Sequence, residues 1–293
     1  MFGVLGVKHW VLADPGACLS GSSVRQAHRV FSLLMETAAR SKRLSANPAV
    51  GVKLPRAGKP EKTFLTHEQV SALADAAGRS RVTTADLLPS PEAVRLAGER
   101  RTIILVLSYC GLRWGELAAL RVDRVDTMRR KISVAEAASE VRGKLVWGTP
   151  KTHQQRSVPI PKFPIPKFLV EPLDVLKAGK GPKDLIFTGA RGGVLRNHNF
   201  RCDVFADAAV AVGLEGLTPH ELRHTAASLA ISSGANMKAV QRMLGHAFAA
   251  MTLDVYSGLF DDDLDGLAAR LDEADHLGGS ARQRAESSHR CLT

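Results

Sequence analysis

Leu217-Thr218-Pro219-His220-Glu221-Leu222-Arg223-His224-Thr225 is the stretch whose reading decides this chain. Thr218 can cap a helix, Pro219 suits the first turn, and Glu221 is the acid three residues after a capping threonine. The pattern predicts a helix from His220 to Ser232, closed by Gly234. On it His220 and Arg223 stand three apart and share one face.

Working outward, Asn236 caps a further helix, Gly245 ends it, and His246 is presented at the turn. Tyr256 follows near the end of a last short helix. Upstream, Thr102 to Cys110 reads as a buried helix, and Arg113 sits just past Gly111 as another helix opens, with Glu116 on its first turn. A carboxylate three residues on can hold that guanidinium in place. Two guanidiniums, two imidazoles and one phenol are what an enzyme gathers to attack a phosphodiester without a metal. Taken singly, each has an ordinary structural explanation; the joint pattern carries the reading. Of the two tyrosines in the chain, Tyr109 lies in the apolar run and is expected in the core.

Between these helices, Lys131 to Val134, Leu145 to Gly148 and Arg156 to Ile160 alternate or branch like strands. The expected fold class is therefore mainly α with a small antiparallel β-sheet (α+β). Thr66 and Gln69 form a capping box with Leu65 and Val70 as its staple, which opens a domain sharply near residue 62. Before it, Asn47 to Phe64 carries Pro48, Pro55, Pro60, Gly51 and Gly58 and reads as a linker. Ahead of the linker, Ser22 or Ser23 can cap a helix whose Ala27, Val30, Phe31, Leu34 and Ala38 fall at helical spacing. The expected organisation is 1–20 unassigned, 21–61 a helical region with a basic linker, 62–275 the main domain and 276–293 a disordered tail.

The net charge of +11 is uneven. Residues 21–62 hold nine Lys or Arg against two Glu, whereas 257–275 hold seven acids and only Arg270. The basic stretch suits a polyanion, with Arg25, Arg29, Lys53, Arg56, Lys59 and Lys62 as candidate DNA contacts. No apolar run approaches the ~18 residues that span a bilayer, and no secretory signal is evident, so a soluble cytoplasmic protein is expected. The four cysteines, Cys18, Cys110, Cys202 and Cys291, are widely spaced and form no paired motif, so they read as reduced thiols.

The second half resembles the catalytic domain of the tyrosine recombinases, the phage integrase family. The matching stretches are Cys110-Gly111-Leu112-Arg113-Trp114-Gly115-Glu116-Leu117, Leu217 to Thr225, Met243-Leu244-Gly245-His246 and Thr252-Leu253-Asp254-Val255-Tyr256. The resemblance covers roughly residues 62–260. It implies that Arg113, His220, Arg223, His246 and Tyr256 form an active site, and that Lys151, in Gly148-Thr149-Pro150-Lys151-Thr152, is the family's lysine on a turn between strands. Glu116, Glu221 and His224 would support them. It further implies DNA strand cleavage and rejoining through a 3′-phosphotyrosyl intermediate, with no metal or other cofactor. The partners implied are double-stranded recombination sites, a homotetramer in the synapse formed from monomers off DNA, and accessory DNA-bending proteins.

A rival motif overlaps the same helix. His220-Glu221-Leu222-Arg223-His224 fits the His-Glu-x-x-His signature of zinc proteases. Its extended form fails, because Ala227 and Ala230 stand where Gly and His would be, and the next Glu is Glu273. Relative to the family, residues 22–55 correspond to only the last helix or two of a core-binding domain, so a truncated or start-shifted chain with an intact site is expected. A DNA-binding remnant without recombination activity is the alternative. Beyond Tyr256, Leu264, Leu267, Ala268 and Leu271 form one stripe of a tail helix that, by the same resemblance, docks on a neighbouring subunit.

Overall fold

The computed structural model describes residues 20–55, 63–79, 90–149, 155–161, 168–189 and 192–245. The chain divides into two compact units, 1–61 and 62–293.

In the first unit, α1 spans Gly21–Arg40. Its cap is Ser20, whose hydroxyl accepts the Ser23 amide at 3.2 Å. The expected caps, Ser22 and Ser23, fall inside the first turn, because Ser20 already holds the extended backbone a cap requires. The chain then folds back along the helix. Asn47 Nδ2 donates to the Ser32 carbonyl at 3.1 Å, and the His28 ring lies 3.1 Å from the Ala49 carbonyl. None of the helix's residues is buried, and the apolar stripe predicted from the spacing lies open, with Val30 51% and Leu34 60% exposed.

The second unit opens as the local code requires. The Thr66 amide donates to Gln69 Oε1 at 2.9 Å and the Gln69 amide to Thr66 Oγ1 at 3.3 Å, while Leu65 and Val70 are buried beside the box. The helix that follows, α2 (His67–Arg79), packs on α3 (Pro91–Cys110), which Ser90 caps and which Gly111 ends in a left-handed conformation. The second half of α3 is buried on every side, from Thr102 to Cys110, as befits the central helix of a core. Tyr109 is a core residue: its hydroxyl is 2.8 Å from His67 Nδ1 and its ring meets Phe168 edge-on. Full burial pushes the Cys110 thiol up to about 12, so it stays protonated.

After α3 comes α4 (Trp114–Ala118), then five strands: β1 (Val125–Asp126), β2 (Lys131–Val134), β3 (Ala137–Val141), β4 (Lys144–Gly148) and β5 (Arg156–Pro159). They form two antiparallel sheets rather than one. β2 is the centre of a three-stranded sheet in the order β1-β2-β5, and β3 pairs only with β4 as a hairpin. The hairpin turns at Arg142 and Gly143, both with positive φ, as a two-residue turn demands. Its first strand, Ala-Ala-Ser-Glu-Val, was not expected from the sequence because its Ala and Glu residues are poor strand formers. Further on are α5 (Val170–Lys177), then α6 (Asn197–Phe200), which runs through a π turn at Arg201–Phe205 into α7 (Ala206–Ala211). The last two described helices are α8 (Glu221–Ser232) and α9 (Met237–Leu244). Among the described residues, no helix is long and apolar enough to cross a membrane.

Gly115 sets how closely α4 approaches the hairpin. A Cβ there would sit 2.5 Å from the Ala138 carbonyl oxygen, a backbone atom that cannot swing aside. Gly115→Ala is expected to lower the unfolding free energy by about 1–3 kcal/mol through overpacking, measured by urea denaturation.

Candidate active site

The helix that carries the His-x-x-Arg pair starts within a residue of the predicted place, but its N-cap is His220, and the Thr218 hydroxyl donates to Glu221 where a cap would accept a helix amide. The Thr218 amide and hydroxyl donate to Glu221 Oε2 at 2.7 and 2.9 Å, and the Glu221 amide returns a bond to the Thr218 carbonyl. Glu221 thereby ties Thr218 to the helix start. His220 lies at the exposed entry to the helix, just before its first residue, and its ring meets that of His224 edge-on at 5.3 Å. Arg223, on the next turn, is buried at 4% exposure.

Arg223 spans two helix ends. Its Nη1 donates to the Gly111 carbonyl, at the end of α3, and its Nη2 to the Leu244 carbonyl, at the end of α9. Arg113, the residue before α4, reaches the same place: its Nη2 donates to the Gly245 carbonyl at 3.3 Å. The two arginines expected to act together are therefore brought together, 110 residues apart in sequence but on adjacent carbonyls. Gly245, in a left-handed conformation, is the C-cap of α9 and immediately precedes His246.

Glu116 is the counter-charge. Its Oε1 accepts Arg113 Nη1 at 3.0 Å and its Oε2 the Arg113 amide at 2.8 Å, as the sequence suggested. A third guanidinium, which sequence reasoning missed, holds the same carboxylate more closely. Arg156, the first residue of β5, donates Nη1 to Oε1 at 2.8 Å and Nη2 to Oε2 at 2.6 Å, and Nε to the Met243 carbonyl at 2.9 Å. Thus the carbonyls of Met243, Leu244 and Gly245 each accept from one arginine, at the partially negative end of α9. A buried Glu in an apolar helix does announce that cations must reach it; the strand pattern of Arg-Ser-Val-Pro did not say which one would.

Lys151, His246 and Tyr256 lie outside the described residues, as do Arg56, Lys59 and Lys62 and the tail-helix stripe. Arg25, Arg29 and Lys53 are exposed in the first unit, where Arg25 Nε donates to the Pro55 carbonyl at 2.9 Å.

The sequence model described as the phage integrase family matches residues 63–262, a span that runs through every expected active-site residue. The chain belongs to the phage integrase family. It is similar to the tyrosine recombinase XerD of Pseudomonas aeruginosa, at 29% identity over 231 residues, covering 78% of this chain and 67% of that protein. It is similar also to XerC of Mycobacterium tuberculosis, at 28% identity over 249 residues, covering 84% and 76%. The fold is that of the Tn1549 transposon integrase solved with circular intermediate DNA (TM-score 0.70, 20% identity, 92% and 86% covered). It is also that of the recombinase XerH bound to its palindromic difH substrate (TM-score 0.59, 16% identity, 92% and 72% covered). As a tyrosine recombinase the chain is an enzyme of DNA breakage and rejoining, and the zinc-protease reading finds no support among these relatives.

In this recombinase the Glu116 pairing has a measurable pH signature. Burial alone would raise its carboxyl, but the hydrogen bonds and charge of Arg156, then of Arg113, outweigh it and hold the group below its ordinary value of 4.5. A depressed carboxyl stabilises the fold fully above its unfolded value and ceases to as pH falls through the lower folded one. Glu116→Gln is expected to cost about 3–5 kcal/mol of stability at neutral pH, as breaking a buried pair does. That deficit should shrink as pH drops below about 4.5. Denaturant titrations of both proteins across that range measure it.

Proposed function

We propose that this chain recombines DNA by covalent strand transfer from Tyr256. The observation that carries the reading is the convergence of Arg113 and Arg223 on adjacent carbonyls at the end of α9, one residue before His246. Two fixed guanidiniums beside a helix end make a clamp for the non-bridging oxygens of a scissile phosphate, where charge rises in the pentavalent transition state. The Tyr256 oxygen attacks phosphorus, forming a 3′-phosphotyrosyl bond as the bond to the 5′ oxygen breaks. His220 takes the phenol proton, His246 donates a hydrogen bond to the phosphate, and Lys151 protonates the departing 5′ oxygen. Glu221 and His224 support the helix that carries His220 and Arg223. The 5′ hydroxyl of an exchanged strand reverses these steps, so the energy of the broken bond is conserved.

The partner is a double-stranded recombination site. Residues 62–275 form the catalytic domain. The basic residues Arg25, Arg29, Lys53, Arg56, Lys59 and Lys62 belong to a core-binding region and linker that add contacts to the DNA backbone, with affinity falling steeply with salt. Four protomers act in one synapse on the nucleoid, each tail helix docking on a neighbour. An apolar groove of about 780 Å³, lined by Tyr109, Pro159, Leu229, Val240 and Met243, offers such a helix a seat.

A nicked suicide duplex, built on the site the chain selects from a randomised pool, tests this. Wild type should accumulate a covalent protein–DNA adduct, and Tyr256→Phe should abolish the adduct while binding the duplex undiminished. Binding without any wild-type adduct would make the chain a DNA-binding remnant instead.

A further inference from the structure

Arg156 is a buried cation with no assigned task. All three of its guanidinium nitrogens are committed to protein acceptors, and the Glu116 side chain it meets is 1% exposed. An Arg–Glu pair three apart at a helix start, standing alone in water, is worth only a few tenths of a kcal/mol and leaves the guanidinium free to wander. Arg113 is not in that situation, because the carboxylate it leans on is itself immobilised from the other side. Arg156 grips both oxygens of Glu116 in a parallel fork and spends its Nε on the Met243 carbonyl. The end of α9 is shaped around it. A Cβ on Gly245 would lie 3.0–3.2 Å from the Arg156 Cδ, Nε and Nη1, so a bare glycine is what lets the strand residue pass beneath the helix cap. One side chain thus ties the start of α4 to the end of α9, and those two points carry Arg113 and lead to His246.

We infer that Arg156 is a positioning residue for the phosphate clamp: through Glu116 it aims Arg113, and through Met243 it sets the end of α9. Lysine cannot replace it, since a point charge cannot hold both carboxylate oxygens and a carbonyl in one plane. This rests on the assignment of Arg113 to the scissile phosphate. Arg156 should therefore act on the rate of cleavage rather than on DNA affinity.

The test is single-turnover adduct formation on the nicked suicide duplex, reading rate constant and final amplitude separately, for Arg156→Lys, Arg156→Met and Arg113→Lys with and without Arg156→Lys. Misaiming by about 1 Å predicts a rate constant lower by about 10²-fold, with affinity within about twofold and full amplitude. In the Arg113→Lys background, Arg156→Lys should add little, because both changes remove one function. An unchanged rate constant overturns the inference, as does a loss confined to amplitude, which is the mark of a misfolded fraction. Full multiplicative loss in the double variant overturns it too. Should Arg156→Met not fold, Arg156→Lys decides alone. Failure of the wild type to form any adduct overturns the functional assignment itself, and is thereby distinguished.

Discussion

Glu116 carries a carboxylate taken almost wholly out of water, and a charge in that position must be matched by cations with good geometry. Two guanidiniums meet it, one from its own helix start and one from a strand edge, and both continue onto carbonyls at the end of α9. Arg223 completes the set from α8. Four separate elements are thereby referred to one ionic knot. Removing any member would leave buried charge or bare carbonyls behind, so the arrangement stands or falls together.

The knot explains the glycines at its edges. Gly111 and Gly245 both end helices with positive φ, and both sit where a side chain would strike a neighbour: Leu244 for the first, Arg156 for the second. Gly115 lies flat against the hairpin backbone for the same reason. Rigid helices converging on a site need places where backbones approach closely, and the motif Cys-Gly-Leu-Arg-Trp-Gly-Glu supplies two of them within five residues. Charged donors held on helix ends and a strand, rather than on loops, suit a site that must meet a phosphate with little reorganisation.

Much of this was legible in the chain because it is written in short-range hydrogen bonds. The Thr66 and Gln69 box and the Asn236 start with its Gly245 stop involve residues three to nine apart and form as read, whereas Thr218 pairs with Glu221 but leaves the N-cap position to His220. Reading was less exact where several residues offered the same service. Three serines compete at the start of α1, and only backbone conformation chose Ser20. A periodic apolar stripe likewise says which residues share a face, not that the face is covered, as Val30 and Leu34 demonstrate.

By itself the sequence determined the family, the helices that bear Arg113, His220 and Arg223, and the mainly helical class with a little antiparallel sheet. These follow from residue types at fixed local spacing. Tertiary structure alone decided that β2 pairs with β5 while β3 and β4 stand apart as a hairpin, and that Arg156 is the chief partner of Glu116. The contacts of Arg156 with Glu116 and Met243 and of Arg113 with Gly245 join residues 40, 87 and 132 positions apart. A charge in sequence advertises that it needs a partner, but which partner reaches it depends on how the whole chain packs, since only packing brings distant backbone within a hydrogen bond's length.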